Sequence, residues 1–311
     1  MTDQVKTAVM PSAKTSRLMR LATYASLGVA LFLIAVKFAA WLFTDSVSLL
    51  STLIDSLLDA AASLVNLLAV RHALTPPDRE HRFGHGKAEP LAALGQSAFI
   101  AGSAIFLVIE AGHRVFHPKA IEHADIGIAV MILAIVLTFA LTRFQAHVVK
   151  RTGSLAIQAD SLHYLGDVLI NGAVILAIVL STELGWSLAD PLFGIAIAAY
   201  ILLTAWRIAR GAYDMLMDRE LPDEDRERIR DTVMAHPEVL SMHDLRTRAS
   251  GPLTFIQLHI EMDGGLTLHR AHGAADEVEN MLRQVFPGAE IIIHQDPYEG
   301  VAEPVRAGGI P

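Results

Sequence analysis

The chain has 311 residues, of which 52% are hydrophobic and only 19% are charged. Soluble domains carry about 25% charged residues, so this composition is typical of a membrane protein. Residues 1–209 have a net charge of +1 and residues 210–311 a net charge of −9, and an acidic tail argues against nucleic acid as a partner. The sequence contains no cysteine, which excludes disulfides and thiolate metal sites. Any bound metal must therefore be held by histidine nitrogen or carboxylate oxygen.

Six apolar segments approach or exceed the length of about 20 residues that crosses a lipid bilayer. They lie at residues 21–43, 47–70, 90–110, 126–144, 154–180 and 188–208. The N-terminal segment and the loops at 71–87 and 143–151 contain eleven Lys and Arg residues, whereas the opposite connections contain two. Because cytoplasmic loops carry an excess of Lys and Arg, both termini are predicted to be cytoplasmic. Residues 1–20 then form a polar cytoplasmic N-terminus, and residues 21–209 a six-helix transmembrane domain.

The hydrophobic periodicity changes after residue 210. The pattern predicts a helix at 222–236, strands at 239–247 and 254–262, a helix at 268–286 and a strand at 290–295. This α-β-β-α-β order predicts a small cytoplasmic α+β domain over residues 210–297. Residues 298–311 are predicted to be disordered.

Two pairs of ionisable residues lie inside the predicted spans. Asp55 and Asp59 are four residues apart in the second span, so one face of a helix carries both. His163 and Asp167 repeat this spacing in the fifth span. Such side chains are expensive at membrane depth, and together they can supply the four nitrogen and oxygen ligands of a tetrahedral Zn²⁺ ion. The alternative is a set of polar contacts inside a helix bundle.

Asp160 continues the polar stripe of the fifth span, three residues before His163. It is nearer the predicted cytoplasmic end of that span. A role at the helix end or in ion access and a role as a metal ligand both remain open for it.

The loop after the second span contains Asp78, His81 and His85 at a spacing typical of metal ligands. Basic residues nearby would oppose a cation, and a solvated basic loop is the alternative. We predict a second metal site in this loop.

The tail contains six histidines, several of them on or beside the predicted strands. We predict metal binding there by His243, His259, His272, His294 and Asp296. His236 and His269 are interpreted as residues at helix ends instead. Isolated surface histidines are the alternative interpretation.

Several stretches carry a resemblance to a known family. Besides the two membrane pairs, they are FGHGKAE at 83–89, DRELP at 218–222, HDLRTR at 243–248 and IHQDP at 293–297. Together they resemble the cation diffusion facilitator family, especially its bacterial ferrous-iron and zinc efflux members, over residues 20–297. The resemblance implies a homodimeric metal/proton antiporter of the bacterial inner membrane, with a metallochaperone-like cytoplasmic domain.

The resemblance also implies a role for each group of residues. It assigns the transport site to Asp55, Asp59, His163 and Asp167, a loop site to Asp78, His81 and His85, and a tail site to His243, His259, His272, His294 and Asp296, with Gln295. The tail site would lie at the dimer contact. Lys87 and Asp218 would form a charge pair that locks the membrane dimer.

These expectations describe a transporter and not an enzyme. Zn²⁺ is the predicted substrate, with Cd²⁺ and Fe²⁺ also accommodated by nitrogen and oxygen ligands, and bound metal in the tail would stabilise the dimer. Protons would compete with metal for the same ligands. A metal-gated channel or a membrane-bound metal sensor is the alternative. An intramembrane metalloenzyme is disfavoured because the helix from His163 to Asp167 lacks the glutamate and second histidine of an HExxH helix. No catalytic cofactor is expected.

Overall fold

The computed structural model describes residues 12–44, 47–116, 125–184 and 189–298. The chain divides into two compact units, Met1–Met217 and Asp218–Pro311. Of the segment predicted to be disordered at 298–311, Tyr298 is instead the last residue of a strand, and residues 299–311 lie outside the described residues. Residues 1–11, 45–46, 117–124 and 185–188 also lie outside them.

The first unit contains six long helices. They are α1 (Ala13–Thr44), α2 (Val47–Ala73), α3 (Ala88–Phe116), α4 (Asp125–Thr152), α5 (Leu155–Leu184) and α6 (Ala189–Leu216). Within the described ranges, five helices are long and apolar enough to cross a membrane, and these are all but α5. The 30 residues of α5 include the predicted ligands His163 and Asp167.

The helices extend beyond the apolar segments that predicted them. For example, α1 begins at Ala13, within the predicted polar N-terminus, where the Ser12 side chain accepts a hydrogen bond from the Thr15 backbone N–H. A serine in this position satisfies a backbone donor at a helix start. Hydrophobicity marks the part of a helix that lies in lipid, whereas capping residues mark where the helix begins.

The helices pack through small and branched apolar side chains. One buried cluster joins α3, α5 and α6, and a second joins α1, α2, α4 and α5. At Gly166 of α5, an added Cβ would lie 3.2 Å from Ile201 of α6. The absence of a side chain at Gly166 therefore lets α6 approach α5 closely beside the predicted ligand Asp167.

The start of α5 is fixed by two polar side chains. Ser154 accepts a hydrogen bond from the Ile157 backbone N–H. The buried Glu89 of α3 accepts hydrogen bonds from Ser154 and from the backbone N–H groups of Leu155 and Ala156. A carboxylate at a helix N-terminus is favoured by the free N–H groups and by the helix dipole. These bonds tie the start of α3 to the start of α5.

The second unit has the predicted α-β-β-α-β order, which is confirmed. Its elements are α7 (Asp223–Met234), β1 (Ser241–Ser250), β2 (Leu253–Asp263), α8 (Leu268–Val285) and β3 (Glu290–Tyr298). The strands form a sheet of order β1-β2-β3, with β1 antiparallel and β3 parallel to β2. The strands differ from their predicted segments at the ends. The strands β2 and β3 extend beyond those segments into less apolar residues, whereas β1 begins after the apolar Val239 and Leu240 and ends beyond the predicted segment.

Period-two alternation on β2 separates the two faces of this sheet. Leu258, Ile260 and Met262 are buried and share a core with α7 and α8. His259 and Glu261 lie at the intervening, partly exposed positions. The two helices therefore cover one face of the sheet, and the histidine of β2 lies on the other.

Candidate metal centres

Three of the four predicted transport ligands meet in the membrane unit. Asp59 of α2 and His163 and Asp167 of α5 have ligand atoms that all lie within 4.8 Å of one another. The Nε2 atom of His163 is 2.8 Å from Oδ1 of Asp59. We call these three residues the membrane cluster. Two helices supply it because the four-residue spacing on α5 directs two side chains toward the same face of α2.

Asp55, the fourth predicted ligand, is not part of this close group. It lines the same cavity of about 720 Å³ that Asp59, His163 and Asp167 line. Asp55 lies one helical turn before Asp59 on α2, and Asp55 is exposed in the single chain. A cation in the cavity can therefore reach three ligand atoms at once, and the carboxylate of Asp55 lies on the wall of the same cavity.

The donor set of the membrane cluster fits a divalent cation. One imidazole and carboxylate oxygens suit tetrahedral Zn²⁺ and related ions. Nε2 of His163 is both the atom that contacts Asp59 and an atom that would ligate metal. Since imidazole and carboxylate bind metal only in their deprotonated forms, a proton and a cation compete for the same atoms.

Asp160 has a different environment from the membrane cluster. It is completely buried, and its Oδ2 atom accepts hydrogen bonds from Ser26 Oγ and Gln145 Nε2, both at 2.6 Å. Its Oδ1 atom accepts from Gln96 Nε2 at 3.3 Å and from Ser63 Oγ at 3.5 Å. These donors come from four different helices. Asp160 therefore joins α1, α2, α3 and α4 to α5, a role that differs from both sequence interpretations.

The predicted loop ligands also lie together. Ligand atoms of Asp78, His81 and His85 are within 4.8 Å of one another, and we call these residues the loop cluster. Asp78 Oδ1 accepts hydrogen bonds from the backbone N–H groups of Glu80 at 2.9 Å and His81 at 2.6 Å. These bonds, chiefly that from His81, hold the pKa of Asp78 below its usual value. The loop thus favours the ionised carboxylate, which is the form that binds metal.

Thr75 fixes the orientation of His85, and the sequence did not single it out. The Thr75 hydroxyl is 2.6 Å from the His72 carbonyl oxygen, to which it donates its one proton. It is also 3.0 Å from His85 Nδ1, so Nδ1–H must donate to it. Nε2 of His85 then presents its lone pair, 3.3 Å from Asp78 Oδ2. A hydroxyl that selects the tautomer of a ligating histidine is a common feature around metal sites.

In the tail, three histidines form one row across the sheet. His243 of β1 is paired with His259 of β2, which is paired with His294 of β3. Their ring centroids are 5.1 Å and 4.6 Å apart between neighbours. Asp296 lies beside the row, with carboxylate oxygens 3.4 Å, 2.9 Å and 3.2 Å from ring nitrogens of the three histidines in strand order. We call these three histidines the histidine row.

Two further acids flank the histidine row. Glu261 Oε1 is 3.6 Å from His243 Nδ1, and Asp244 Oδ2 is 3.8 Å from His259 Nε2. Asp244 has a φ of 47° and lies where the β1–β2 register shifts. A hydrogen bond from Arg246 holds the pKa of Asp244 below its usual value. The sequence interpretation missed both acids, although Glu261 lies two residues after His259 and so on the same face of β2.

The structure places the remaining predicted tail residues elsewhere. His272 lies on α8, which covers the other face of the sheet, and its Nε2 atom is 3.6 Å from Asp276. Gln295 falls between His294 and Asp296 on β3, so strand alternation directs it to the opposite face. His236 is buried at the end of α7 and contacts Glu277, as expected for a helix-end residue.

Lys87 and Asp218, the predicted dimer charge pair, each have contacts within their own unit. Lys87 Nζ donates to the Leu216 carbonyl oxygen at 3.3 Å. Arg248 donates to Asp218 Oδ1 at 3.3 Å. A charge pair between protomers is not a feature of a single chain and stays a prediction.

Comparison with known proteins agrees with this architecture. Residues 23–217 match the cation efflux transmembrane domain, and residues 221–298 match the cytoplasmic domain of cation efflux proteins. The first match runs through α5, the helix that carries His163 and Asp167. One solved structure concerns the mode of action of the zinc transporter CzrB, in its Zn form. It is 36% identical over 28% of this chain and 99% of that chain, with a TM-score of 0.26.

Several bacterial cation-efflux pumps are similar in sequence to nearly the whole chain. The cation-efflux pump FieF of Pectobacterium atrosepticum is 50% identical over 94% of this chain and 97% of its own. FieF of Serratia proteamaculans is 49% identical over 93% and 96%, and FieF of Klebsiella pneumoniae 50% over 90% and 93%. Together with the two domain matches, these identities show that the chain belongs to the cation efflux family of membrane transporters.

Proposed function

We propose that this cation efflux protein exports Zn²⁺ in exchange for protons. One observation carries the proposal, namely the meeting of Asp59, His163 and Asp167 on the wall of a cavity inside the membrane unit. Asp55 would be the fourth ligand when the cation is bound. Carboxylates and an imidazole at this depth are retained in a membrane protein where they handle ions or protons.

Proton exchange follows from the ligand chemistry. Metal binding requires deprotonated His163 and aspartates, and protonation of the same groups releases the metal. A transporter whose cavity opens alternately to the two sides would load metal from the cytoplasm and return with protons. An inward proton gradient would then drive metal out.

The donor types support Zn²⁺ as the substrate. One histidine nitrogen with carboxylate oxygens is a set that tetrahedral Zn²⁺ uses, and it can also hold Cd²⁺ and Fe²⁺. An octahedral shell made only of oxygen, as Mg²⁺ and Mn²⁺ prefer, would not need His163.

The loop cluster and the histidine row would serve the same export. The excess of Lys and Arg in the loops at 71–87 and 143–151 supports a cytoplasmic location for both, in a protein of the bacterial inner membrane with cytoplasmic termini. The histidine row lies on the sheet face that α7 and α8 leave uncovered. We infer that metal on this face joins two protomers into a homodimer, with Lys87–Asp218 as the charge pair near the bilayer surface. Because His272 and Gln295 lie on the other face of their own sheet, they would reach such a metal as ligands only from the second protomer.

Flux measurements in proteoliposomes test the proposal. Purified full-length protein is reconstituted with a Zn²⁺ indicator and a pH indicator inside the vesicles, and an outward-directed proton gradient is imposed. We expect Zn²⁺ accumulation against its gradient, coupled to proton exit, and a fall to the protein-free background in Asp59→Asn. Ser103→Ala is the matched control, because Ser103 also lines the cavity but its hydroxyl bonds to Phe99 of its own helix.

Each alternative gives a different result in the same vesicles. Zn²⁺ entry that follows its own gradient without proton exit would indicate a channel and overturn the proposal. Wild-type flux in Asp59→Asn would show that the membrane cluster is not the transport site. Equal flux for Zn²⁺ and Mg²⁺ would overturn the assignment of the substrate.

A further inference from the structure

Lys37 of α1 is a basic residue on the wall of the membrane cavity. It lines this cavity together with Asp55, Asp59 and Asp167. A lysine inside a membrane span is costly and is retained where it serves a site. It is also unexpected there, because a fixed positive charge lowers the affinity of a cavity for a cation.

The contacts of Lys37 leave its charge available to the cavity. Its Nζ atom donates hydrogen bonds to the Thr52 carbonyl oxygen at 3.0 Å and to Ser56 Oγ at 2.7 Å. Both acceptors are uncharged, and both lie on the turn of α2 that carries Asp55. These bonds hold the ammonium in place, and within the described part of the chain no close ion pair neutralises it.

The charges that line the cavity balance one divalent ion. Among the described residues, three carboxylates and one lysine are the charged groups that line the cavity, and their net charge is −2 when all four are ionised and His163 is neutral. A divalent cation brings this sum to zero, whereas without Lys37 the same ion would leave a net charge of −1. Net charge is unfavourable in surroundings that exclude water. Without Lys37, a trivalent ion would be the neutral match instead.

We propose that Lys37 sets the charge selectivity of the transport cavity, by cancelling one of its three carboxylates. The lysine matches the cavity to divalent ions and limits how tightly they bind. This inference rests on the proposed transport function, because it takes the membrane cluster as the site of the substrate. It adds a specificity residue that touches none of the ligand atoms.

A purely structural role for Lys37 makes a different prediction. If the side chain only ties α1 to α2, then loss of its hydrogen bond to Ser56 should resemble loss of the lysine itself. If its charge matters, Ser56→Ala and Lys37→Arg should both bind metal ions with the affinity of the wild type. Methionine has a similar length and no charge, so the metal-ion affinity of Lys37→Met should differ from that of the wild type and of both other variants.

Metal binding to the full-length protein in detergent separates these roles. A His85→Ala/His259→Ala background weakens the loop cluster and the histidine row, so that the membrane cavity is the main remaining site. Zn²⁺ binding is measured by calorimetry and Tb³⁺ binding by luminescence. We expect Lys37→Met to bind both ions more tightly and to raise the Tb³⁺ affinity relative to Zn²⁺ by at least about tenfold, because the electrostatic gain scales with ion charge. Lys37→Gln provides a second neutral variant if Lys37→Met folds poorly.

The outcomes are distinct. An unchanged Tb³⁺-to-Zn²⁺ affinity ratio in both neutral variants would overturn the charge role while leaving the transport site intact. The same change in Ser56→Ala as in Lys37→Met would also overturn it, in favour of a structural tie. Zn²⁺ binding that Asp59→Asn does not weaken would overturn the transport site itself, and with it the inference about Lys37.

Discussion

The membrane cluster and the histidine row use similar donors in opposite surroundings. In the membrane cluster, the side chains of His163 and Asp59 are only 11% and 21% exposed. In the histidine row, those of His243 and His294 are 47% and 64% exposed. Helix periodicity builds the first from two helices, whereas the strand register builds the second from three strands.

This difference separates the two sites by what should control their affinity. Near water, charges are screened, so the tail site depends mainly on the positions of its ligands. Inside the membrane unit, screening is weak and buried charges interact strongly. A change of one charge there should alter binding more than the same change in the tail.

Replacing one histidine in each region, His163 in the membrane cluster and His259 in the histidine row, should separate transport from tail binding. We expect His163→Gln to reduce Zn²⁺ flux in proteoliposomes at least about 100-fold, because it removes the only nitrogen ligand of the membrane cluster. His259→Gln should retain flux within a few-fold of the wild type at saturating Zn²⁺. Equal losses of flux in both variants would show that the two regions do not act separately.

Within the tail, His259 should matter more than any other histidine. It is the central member of the histidine row and contacts both neighbouring rings and Asp296. We expect His259→Ala to lower the Zn²⁺ affinity of the tail by about 100-fold, measured by calorimetry in a His163→Ala/His85→Ala background. In a single protomer, His272→Ala should have a much smaller effect, because His272 lies on α8 at the other face. A larger loss for His272→Ala would place the site away from the row.

Buried polar contacts should make the membrane unit less tolerant of charge loss. The side chains of Gln145 and Ser26 donate hydrogen bonds to Oδ2 of Asp160. In Asp160→Asn, an amide NH₂ group at that position would be a donor facing these donors. Leaving buried donors unpaired costs about 1–3 kcal/mol, so we expect a lower thermal midpoint in detergent. Asp231→Asn on the exposed surface of α7 is the matched control and should leave the midpoint unchanged. Equal midpoints for the two variants would contradict the linking role of Asp160.

The loop cluster provides an intermediate case, since the side chains of Asp78 and His81 are more than half exposed whereas that of His85 is only 7% exposed and is oriented by Thr75. Thr75→Val keeps the side-chain shape but removes the hydroxyl that accepts from His85 Nδ1. Loss of such an orienting contact lowers metal affinity about tenfold. Thr75→Ser, which keeps the hydroxyl, should bind as the wild type does. Zn²⁺ titration in a His163→Ala/His259→Ala background measures both, and an equal affinity in Thr75→Val would exclude the tautomer role.

Regular spacing made most of the architecture predictable from sequence. Apolar length indicated the six helices, and period-two alternation on β2 indicated which residues face the core. The four-residue spacing of His163 and Asp167 predicted their common face. The predicted α-β-β-α-β order rests on the same two periodicities, and the element ends alone were inaccurate because caps and strand ends are not apolar.

The remaining features depend on contacts between segments far apart in the sequence. Asp160 carries the same spacing signal as a ligand, yet four donors from other helices give it a different role. Lys37 interrupts an apolar span, but the sequence does not show that its ammonium lies in the cavity of Asp59. Nothing in the sequence distinguishes Thr75 from other loop residues, and only the fold shows that its hydroxyl contacts His85.

The alternation of buried and partly exposed residues along β2, regular from Gln257 to Met262, also limits how this protein can change during evolution. Substitutions on the exposed face can tune the tail site one ligand at a time. A single-codon deletion between Leu253 and His259 would instead exchange the two faces of the strand, moving the central histidine into the core beside α8 and an apolar neighbour into the row. Lineages that diversify this surface should therefore differ by replacements within β2, while their insertions and deletions accumulate in the connecting loops.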